Sequence, residues 1–518
     1  MTGSGRDSSR SVGIAPSLAE GGAPGESRRV ARVLIVDLNN FATFPTLAVG
    51  LLVARLREAG HVVEVLCPLN LNVRGAQREH RDTLRDHFSR QLQHATWSPL
   101  AAARTLKGAL HDWRTNRPDP VVLRETARAI EARRPDVVLL SAYLQHYPSV
   151  AEIGGIARRA GVPLVVGGPM FNLPEVADAW RELPGVTAIV GAEADLDVAG
   201  LASDAVAGAG EGLLDHPGVT LSDGRRSAAA RPLRPLDATP IPDFSDFPWS
   251  LYPFRVVPVM TGRGCQWDRC VFCSDVISAN GRSFRTRSVD RVMEELAVQA
   301  RRHDTASFIF LDLKLNSNPA MFRGISDRIR SVVPGAEWIG TVHVDQRRDN
   351  GLSLPDLRAA VGSGMRRISF GLESGSQRLL DAMDKGASVE TNSEFIRNAH
   401  QAGLSVRATM FRGFPGETAE DLDATAAFLE RHEPFMDRVR FKALTVNEST
   451  PLFHSIAEGR HGGMRITAVE SRRARVATTD GVAGGRAYRK ALARVLNRVF
   501  AINRREVRVE ARAFDGLM

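Results

Sequence analysis

The chain has 518 residues, 43% of them hydrophobic and 25% charged, with a formal net charge of +9. That apolar content supports two or three domains with separate cores, and no apolar run approaches the roughly 18 residues that a bilayer span needs. The N-terminal MTGSGRDSSR has no signal-peptide character, so no membrane partner and a cytoplasmic location are expected. Residues 1–28, rich in Ser, Gly and Ala, read as a disordered leader. A strand ARVLIVD (31–37), a helix from Thr46 to Ala59 stopped by Gly60, and a strand VVEVLC (62–67) follow. PDVVLLS (135–141), PLVVGG (163–168) and AIVGAE (188–193) continue the alternation. The reading for 29–214 is therefore a doubly wound, Rossmann-like parallel sheet that binds its ligand at the strand ends. Residues 70–130 form a polar, helical insertion within it.

Seven prolines between Pro217 and Pro253 argue against helices or central strands, so 215–253 reads as a linker. A second alternation fills 254–445, with strands expected at VVPVM (256–260), SFIFL (307–311), WIGTVH (338–343), RISFG (367–371), SVRATM (405–410) and RVRFKA (438–443). Ser288 reads as the N-cap of one intervening helix, and Thr418 to Asp421 as the capping box of another. Six β/α units predict a partial (β/α)6 barrel with its chemistry at the carboxyl ends of the strands. The remainder, 446–518, reads as basic and partly helical, with YRKALARVLNRVFAINRR (488–505) as a solvated face rather than a docking helix.

Only four cysteines occur, and Cys265, Cys270 and Cys273 fall within nine residues, so they are not a disulfide framework. Three thiolates on a four-iron cubane leave one iron open to a small molecule. Structural zinc requires a fourth ligand, but the nearest later histidine is His303, and Cys67 belongs to the other unit.

A three-cysteine loop after the first strand of a six-unit barrel, with Phe272 just before the last cysteine, resembles the radical S-adenosylmethionine (SAM) superfamily. The resemblance implies a [4Fe-4S] cluster on Cys265, Cys270 and Cys273, with SAM on the open iron and cleaved to a 5′-deoxyadenosyl radical. The spacing here is C-x4-C-x2-C, one residue longer than the commonest family pattern. By the same resemblance Phe272 packs near adenine, and in GLESGSQRLLDAMDKG (371–386) Glu373 and Ser374 face the SAM ribose or amino-acid end. In RATMFRGFPGET (407–418) Met410 and Phe411 contact adenine while Gly413, Pro415 and Gly416 shape the loop. In LDLKLN (311–316) Asp312 points toward the site. No catalytic acid or base is identified.

A doubly wound unit ahead of such a barrel is similar to the cobalamin-binding radical SAM subclass, a resemblance spanning about residues 30–445. It implies cobalamin across the strand ends, contacted by Asp37, Asn39 and Asn40, by Ser141, Tyr143 and Leu144, by Gly167, Gly168 and Pro169, and by Gly191 and Glu193. The D-x-H-x-x-G motif is absent, since Leu38 and Asn39 follow Asp37. His146 is a possible substitute ligand but reads first as a packing residue, and Cys67 reads as core. Dinucleotide binding is set aside because Asp37 to Phe44 contains no glycine.

The function implied is methylation of an unactivated carbon in a natural-product intermediate or peptide, through methylcobalamin and a 5′-deoxyadenosyl radical, with flavodoxin or ferredoxin as electron donor. One alternative is a cobalamin-binding radical SAM enzyme that cyclises or rearranges without methylating. Another is a zinc-stabilised, basic nucleic-acid-binding protein. Dispersed arginines and 6% aromatic residues disfavour that one, so no nucleic-acid partner is expected. A methylthiotransferase of the same superfamily would need three more cysteines in its first domain, where only Cys67 stands.

Overall fold

In the computed structural model, residues 30–517 are described, except 76–78, 96–97, 209, 462 and 480–484; the expected leader lies outside the described residues. β-Branched runs separated by amphipathic helices fold into two six-stranded sheets. The first contains β1 (Arg32–Val36), β2 (Val62–Leu66), β3 (Val137–Ser141), β4 (Leu164–Gly167), β5 (Val186–Val190) and β6 (Val219–Leu221). Its order is β2-β1-β3-β4-β5-β6, parallel except for β6, which runs antiparallel to β5. The strands are buried almost throughout because helices cover both faces. Between β1 and β3 the winding reverses, and this switch point opens a crevice at the strand ends. The stretch read as linker therefore donates an edge strand, β6, before it crosses to the barrel.

The barrel begins with β7 (Val256–Val259). A ribbon of β8 (Gly262–Arg263) and β9 (Arg285–Thr286) then brackets the cysteine loop. β10 (Ser307–Phe310), β11 (Glu337–Val342), β12 (Met365–Glu373), β13 (Ser405–Arg412) and β14 (Arg438–Ala443) complete a parallel sheet in the order β14-β13-β12-β11-β10-β7. β7 and β14 do not pair with one another, so the barrel is open along one side. Ser288 caps the helix Val289–His303 by accepting from the Arg291 N–H at 3.2 Å, and Thr418 and Asp421 close the capping box of Ala419–His432.

Side chains that alternate along the strands separate the barrel interior from the helix layer. Val256, Ile309 and Ile339 meet Phe44 of the first unit and Phe514 and Leu517 of the C-terminal tail. Beside them Arg367 and Arg407 pair with Glu79 at 3.0 and 3.3 Å, and Arg438 pairs with Asp515 at 2.9 Å. The 70–130 insertion and the tail therefore fill the incomplete barrel.

The C-terminal region departs from its expectation twice. The helix Arg486–Asn503 docks on Ala419–His432 and buries Tyr488, Leu492, Val495, Leu496, Val499 and Ile502, so it is not a solvated face. Asn503 covers the β14 edge, its amide accepting from the Val439 N–H at 2.7 Å and donating to the Val439 carbonyl at 2.9 Å. In addition β15 (Val446–Asn447), β16 (Ile466–Glu470) and β17 (Arg475–Thr478) make a small antiparallel sheet. Among the described residues no helix is long and apolar enough to cross a membrane.

Candidate active site between the two sheets

The loop carrying Cys265, Cys270 and Cys273 leaves β7 at the carboxyl end of the barrel. All three thiols are free and partly exposed. Asp312, just after β10, anchors its root: one carboxylate oxygen accepts from the Thr261 hydroxyl and the Gly262 N–H, both at 2.7 Å, and the Thr261 N–H adds a bond at 3.1 Å. Burial raises Asp312 to about 6 against these hydrogen bonds. Asp312 thus holds the root of the cysteine loop through both of its carboxylate oxygens.

The residues between the first two cysteines are pinned as firmly. The Trp267 indole N–H donates to the Asp384 carbonyl at 2.7 Å, Arg269 lies 5.1 Å above the Trp267 ring and pairs with Asp384, and the ring rests on Gly386. The longer first spacing is therefore occupied by a tryptophan wedge. Past Cys270, the Val271 N–H donates to the Met383 carbonyl at 3.1 Å.

Two lysines missed by the sequence reading stand over the thiols. Lys385 pairs with Glu373 at 2.9 Å, and both are buried. Burial opposes the charge on Lys385, but Glu373 and Cys270 outweigh it and raise its pKa. Lys314, after β10, is influenced by Cys265, Cys273 and Glu373, with burial and Lys385 lowering its pKa. Burial raises the Cys270 thiol and pushes Cys273 up to about 12, so both need a metal or a cation to ionise. Glu373 itself has φ +59, a left-handed conformation costing roughly 1–2 kcal/mol for a non-glycine residue. His343 completes this group: it is 3% exposed, neither ring nitrogen has a hydrogen-bond partner, and its ring lies 6.1 Å from Trp267.

Phe272 and Phe411 meet edge to face, with ring centroids 4.9 Å apart. Met410, the next residue along β13, points the other way, packing in the helix-side core with Leu422 and Ala426. Ser374 is buried in the turn, bonded to the Ser376 N–H and Thr425. Neither side chain opens onto the site. Gly413 has free space where a side chain would be, and its N–H donates to Glu417 at 2.7 Å.

Below the loop, a cavity of about 310 Å³ lies against the switch point of the first sheet. Asn39, Ser141, Tyr143, Gly167, Gly168, Pro169 and Glu193, all expected ligand contacts, line it, and Met260, Arg263 and Leu311 close it from the barrel. Leu47, Leu51 and Leu139 make the wall largely apolar, while the buried Oδ1 of Asn39 has no partner.

Four expected contacts are not among the lining residues, each for a visible reason. Asp37 is buried, accepting from the Thr46 hydroxyl at 2.8 Å and the Asn39 N–H at 3.1 Å, and burial raises it to about 6. The Asn40 amide donates to the Val73 and Arg74 carbonyls. Leu144 packs in the second core, and Gly191 lies tight against the Phe171 backbone. Gly168 has a packing reason, because a Cβ there would lie 2.1 Å from the Ala142 carbonyl oxygen. His146 accepts from the Tyr143 N–H at 3.2 Å and does not line the cavity.

Among the described residues, no group of three or more His, Cys, Asp or Glu side chains is placed to hold a single metal ion, which the zinc alternative requires. A cubane binds its thiolates at separate corners, and three partly exposed thiols beside two ammonium groups suit it. The cavity falls at the lower end of the usual range of small-ligand sites, roughly 300–1,000 Å³, and offers an apolar wall with the unpartnered Asn39 oxygen as a polar anchor.

Residues 259–429 match the Radical SAM superfamily. The radical SAM methyltransferase TsrM from Kitasatospora setae, solved with cobalamin and a [4Fe-4S] cluster, has the same fold over 91% of both chains (TM-score 0.62, 17% identity). The cobalamin-dependent SAM radical enzyme OxsB, solved with aqua-cobalamin and SAM, matches 87% of this chain and 64% of its own (TM-score 0.63, 15% identity). In sequence, an uncharacterized methyltransferase of Pyrococcus horikoshii is 29% identical over 65% of this chain and 72% of its own. The anaerobic magnesium-protoporphyrin IX monomethyl ester cyclase of Rubrivivax gelatinosus is 27% identical over 59% of this chain, which spans 56% of that relative. Residues 259–429 thus carry a radical SAM domain. Its whole architecture, doubly wound unit followed by open barrel, is that of TsrM and OxsB.

Proposed function

We propose that this chain is a cobalamin-dependent radical SAM enzyme that methylates an unactivated carbon of a small molecule or peptide. The observation that carries this reading is the shared wall: the switch-point cavity is closed by Met260 and Arg263, which lead into the cysteine loop. When bound, the [4Fe-4S] cluster with SAM would supply a 5′-deoxyadenosyl radical, and cobalamin a methyl group. Cys265, Cys270 and Cys273 would hold the cluster, with Lys314 and Lys385 balancing its charge. Phe272 and Phe411 would bracket the adenine, and Glu373, fixed by Lys385, would face the SAM ribose or amino-acid end. Asn39, Ser141, Tyr143, Gly167 and Pro169 would hold cobalamin, with the leucine wall excluding water from a reactive site. No histidine lines the cavity, so none of the described residues there offers cobalt an imidazole. A natural-product substrate, a flavodoxin or ferredoxin donor and a cytoplasmic setting belong to the same reading.

Likeness to the Rubrivivax cyclase favours a second reading, radical cyclisation without methyl transfer. Incubating the reconstituted chain with SAM, reductant and hydroxocobalamin separates the two. Methyl transfer gives both S-adenosylhomocysteine and 5′-deoxyadenosine, and 5′-deoxyadenosine alone points to the second. A colourless protein without iron would refute both.

A further inference from the structure

The cysteine loop is fastened to the first sheet at both ends. In front, Arg263 stands two residues before Cys265, grips Asp195 through two bonds of 2.7 and 2.8 Å, and reaches Glu193 at 2.9 Å. Its ribbon neighbour Arg285 holds the two oxygens of Glu193 at 3.0 and 3.1 Å. Behind, the Ala279 N–H donates to the Pro169 carbonyl at 2.7 Å, and the Asn172 amide to the Ile277 carbonyl at 2.8 Å. The clasp side chains are at most 9% exposed.

Burying four charges is a costly way to join two domains, since desolvation offsets most of the attraction. A forked, buried pair does hold one geometry, and removing one partner strands the other. Two arginines balance two carboxylates, so the clasp needs no bound ion. Glu193, Asp195, Arg263 and Pro169 are also walls of the cavity. The groups that an occupant of the cavity would touch are therefore those that set the position of the loop.

The geometry points to Asp195 and Glu193 as positioning residues that couple the two cofactor sites, so that cobalamin in the cavity and SAM at the cysteine loop bind cooperatively. This rests on the functional reading above. The sign follows from the shared wall: opening of the clasp would loosen both sites at once, so either ligand, by favouring the closed clasp, favours binding of the other. Linkage makes the effect reciprocal, each ligand tightening the other by one factor.

The test titrates the cluster-loaded full chain with hydroxocobalamin by absorbance, with and without SAM. For the native chain SAM should tighten cobalamin binding by about fivefold or more. Asp195→Asn should keep its iron, and whatever its loss as a cavity wall does to the cobalamin affinity itself, the factor by which SAM changes that affinity should fall to about one. Glu193→Gln, read in the same way, covers failure of the first variant to hold its cluster. A native factor of one, or a native-sized factor in the variants, overturns the coupling and leaves the functional reading standing. Loss of iron from both variants shows a purely structural clasp and also overturns it. If the native chain holds its cluster but binds no cobalamin, the functional reading falls and the coupling with it.

Discussion

Gly386 shows how one residue decides whether the cysteine loop closes. Its φ is +69, and a Cβ there would lie 2.2 Å from the Trp267 ring that fills the longer first spacing. Gly386→Ala should cost about 2–4 kcal/mol, from overpacking plus a left-handed alanine. Iron content after reconstitution should fall with it, and a variant with native iron and a native urea midpoint would refute the wedge. At this scale the sequence located segments better than side-chain directions. The stretch with Glu373 and the pair Phe272 and Phe411 do converge, but Met410 faces the helices and Asp312 and Ser374 bind backbone or neighbouring hydroxyls. A motif marks which strand end reaches the site, whereas direction depends on pleat and hydrogen-bond partners. Lys314 and Lys385 carried a readable signal: of 68 basic residues only five are lysine, and two of them stand here.

Helices and insertions show the same limit at larger separations. The 70–130 segment had no legible role because its key partners are 288 and 328 residues away, where Glu79 meets Arg367 and Arg407. Glu79→Gln should remove the nearest carboxylate from two buried guanidiniums, leaving Arg367 with Asp515 at 3.8 Å and Arg407 with Ser369 at 3.3 Å, and cost roughly 3 kcal/mol of stability, measured as a lower urea midpoint. His94 ties the same insertion to the barrel, accepting from Arg412 Nε at 3.1 Å and stacking obliquely on Phe441. Burial, then Arg412 and Arg90, lowers it from 6.5 to about 3. Between those values the unfolded chain takes up a proton that the folded chain does not. The stabilisation is therefore complete above pH 6.5 and is lost as pH falls toward 3. By about pH 4.5 the loss should reach roughly 2–3 kcal/mol, and His94→Phe should remove that part of the acid dependence of the urea midpoint. For Arg486–Asn503 the apolar stripe at helical spacing was present in the sequence, but its basic exposed face dominated the reading.

Across the whole molecule, an open barrel must be closed by something outside its six strands. Phe514 and Leu517 in the interior and Asp515 on Arg438 assign that task to the tail. Truncation after Asn503 should leave Arg438 without its carboxylate and uncover the apolar interior, giving dye-binding, aggregation-prone protein; a soluble truncate with native thermal stability would count against the plug. Two alternating β/α units, a three-cysteine loop on the second and no glycine-rich turn on the first were determined by the sequence alone, because strand and helix periods and ligand spacing are local properties. The tertiary structure alone decided that the loop and the cavity share a wall, that Glu193 and Asp195 hold Arg263 and Arg285, and that a distant insertion and tail complete the barrel. Those contacts join residues tens to hundreds of positions apart, and burial of paired charges has no signature in local sequence.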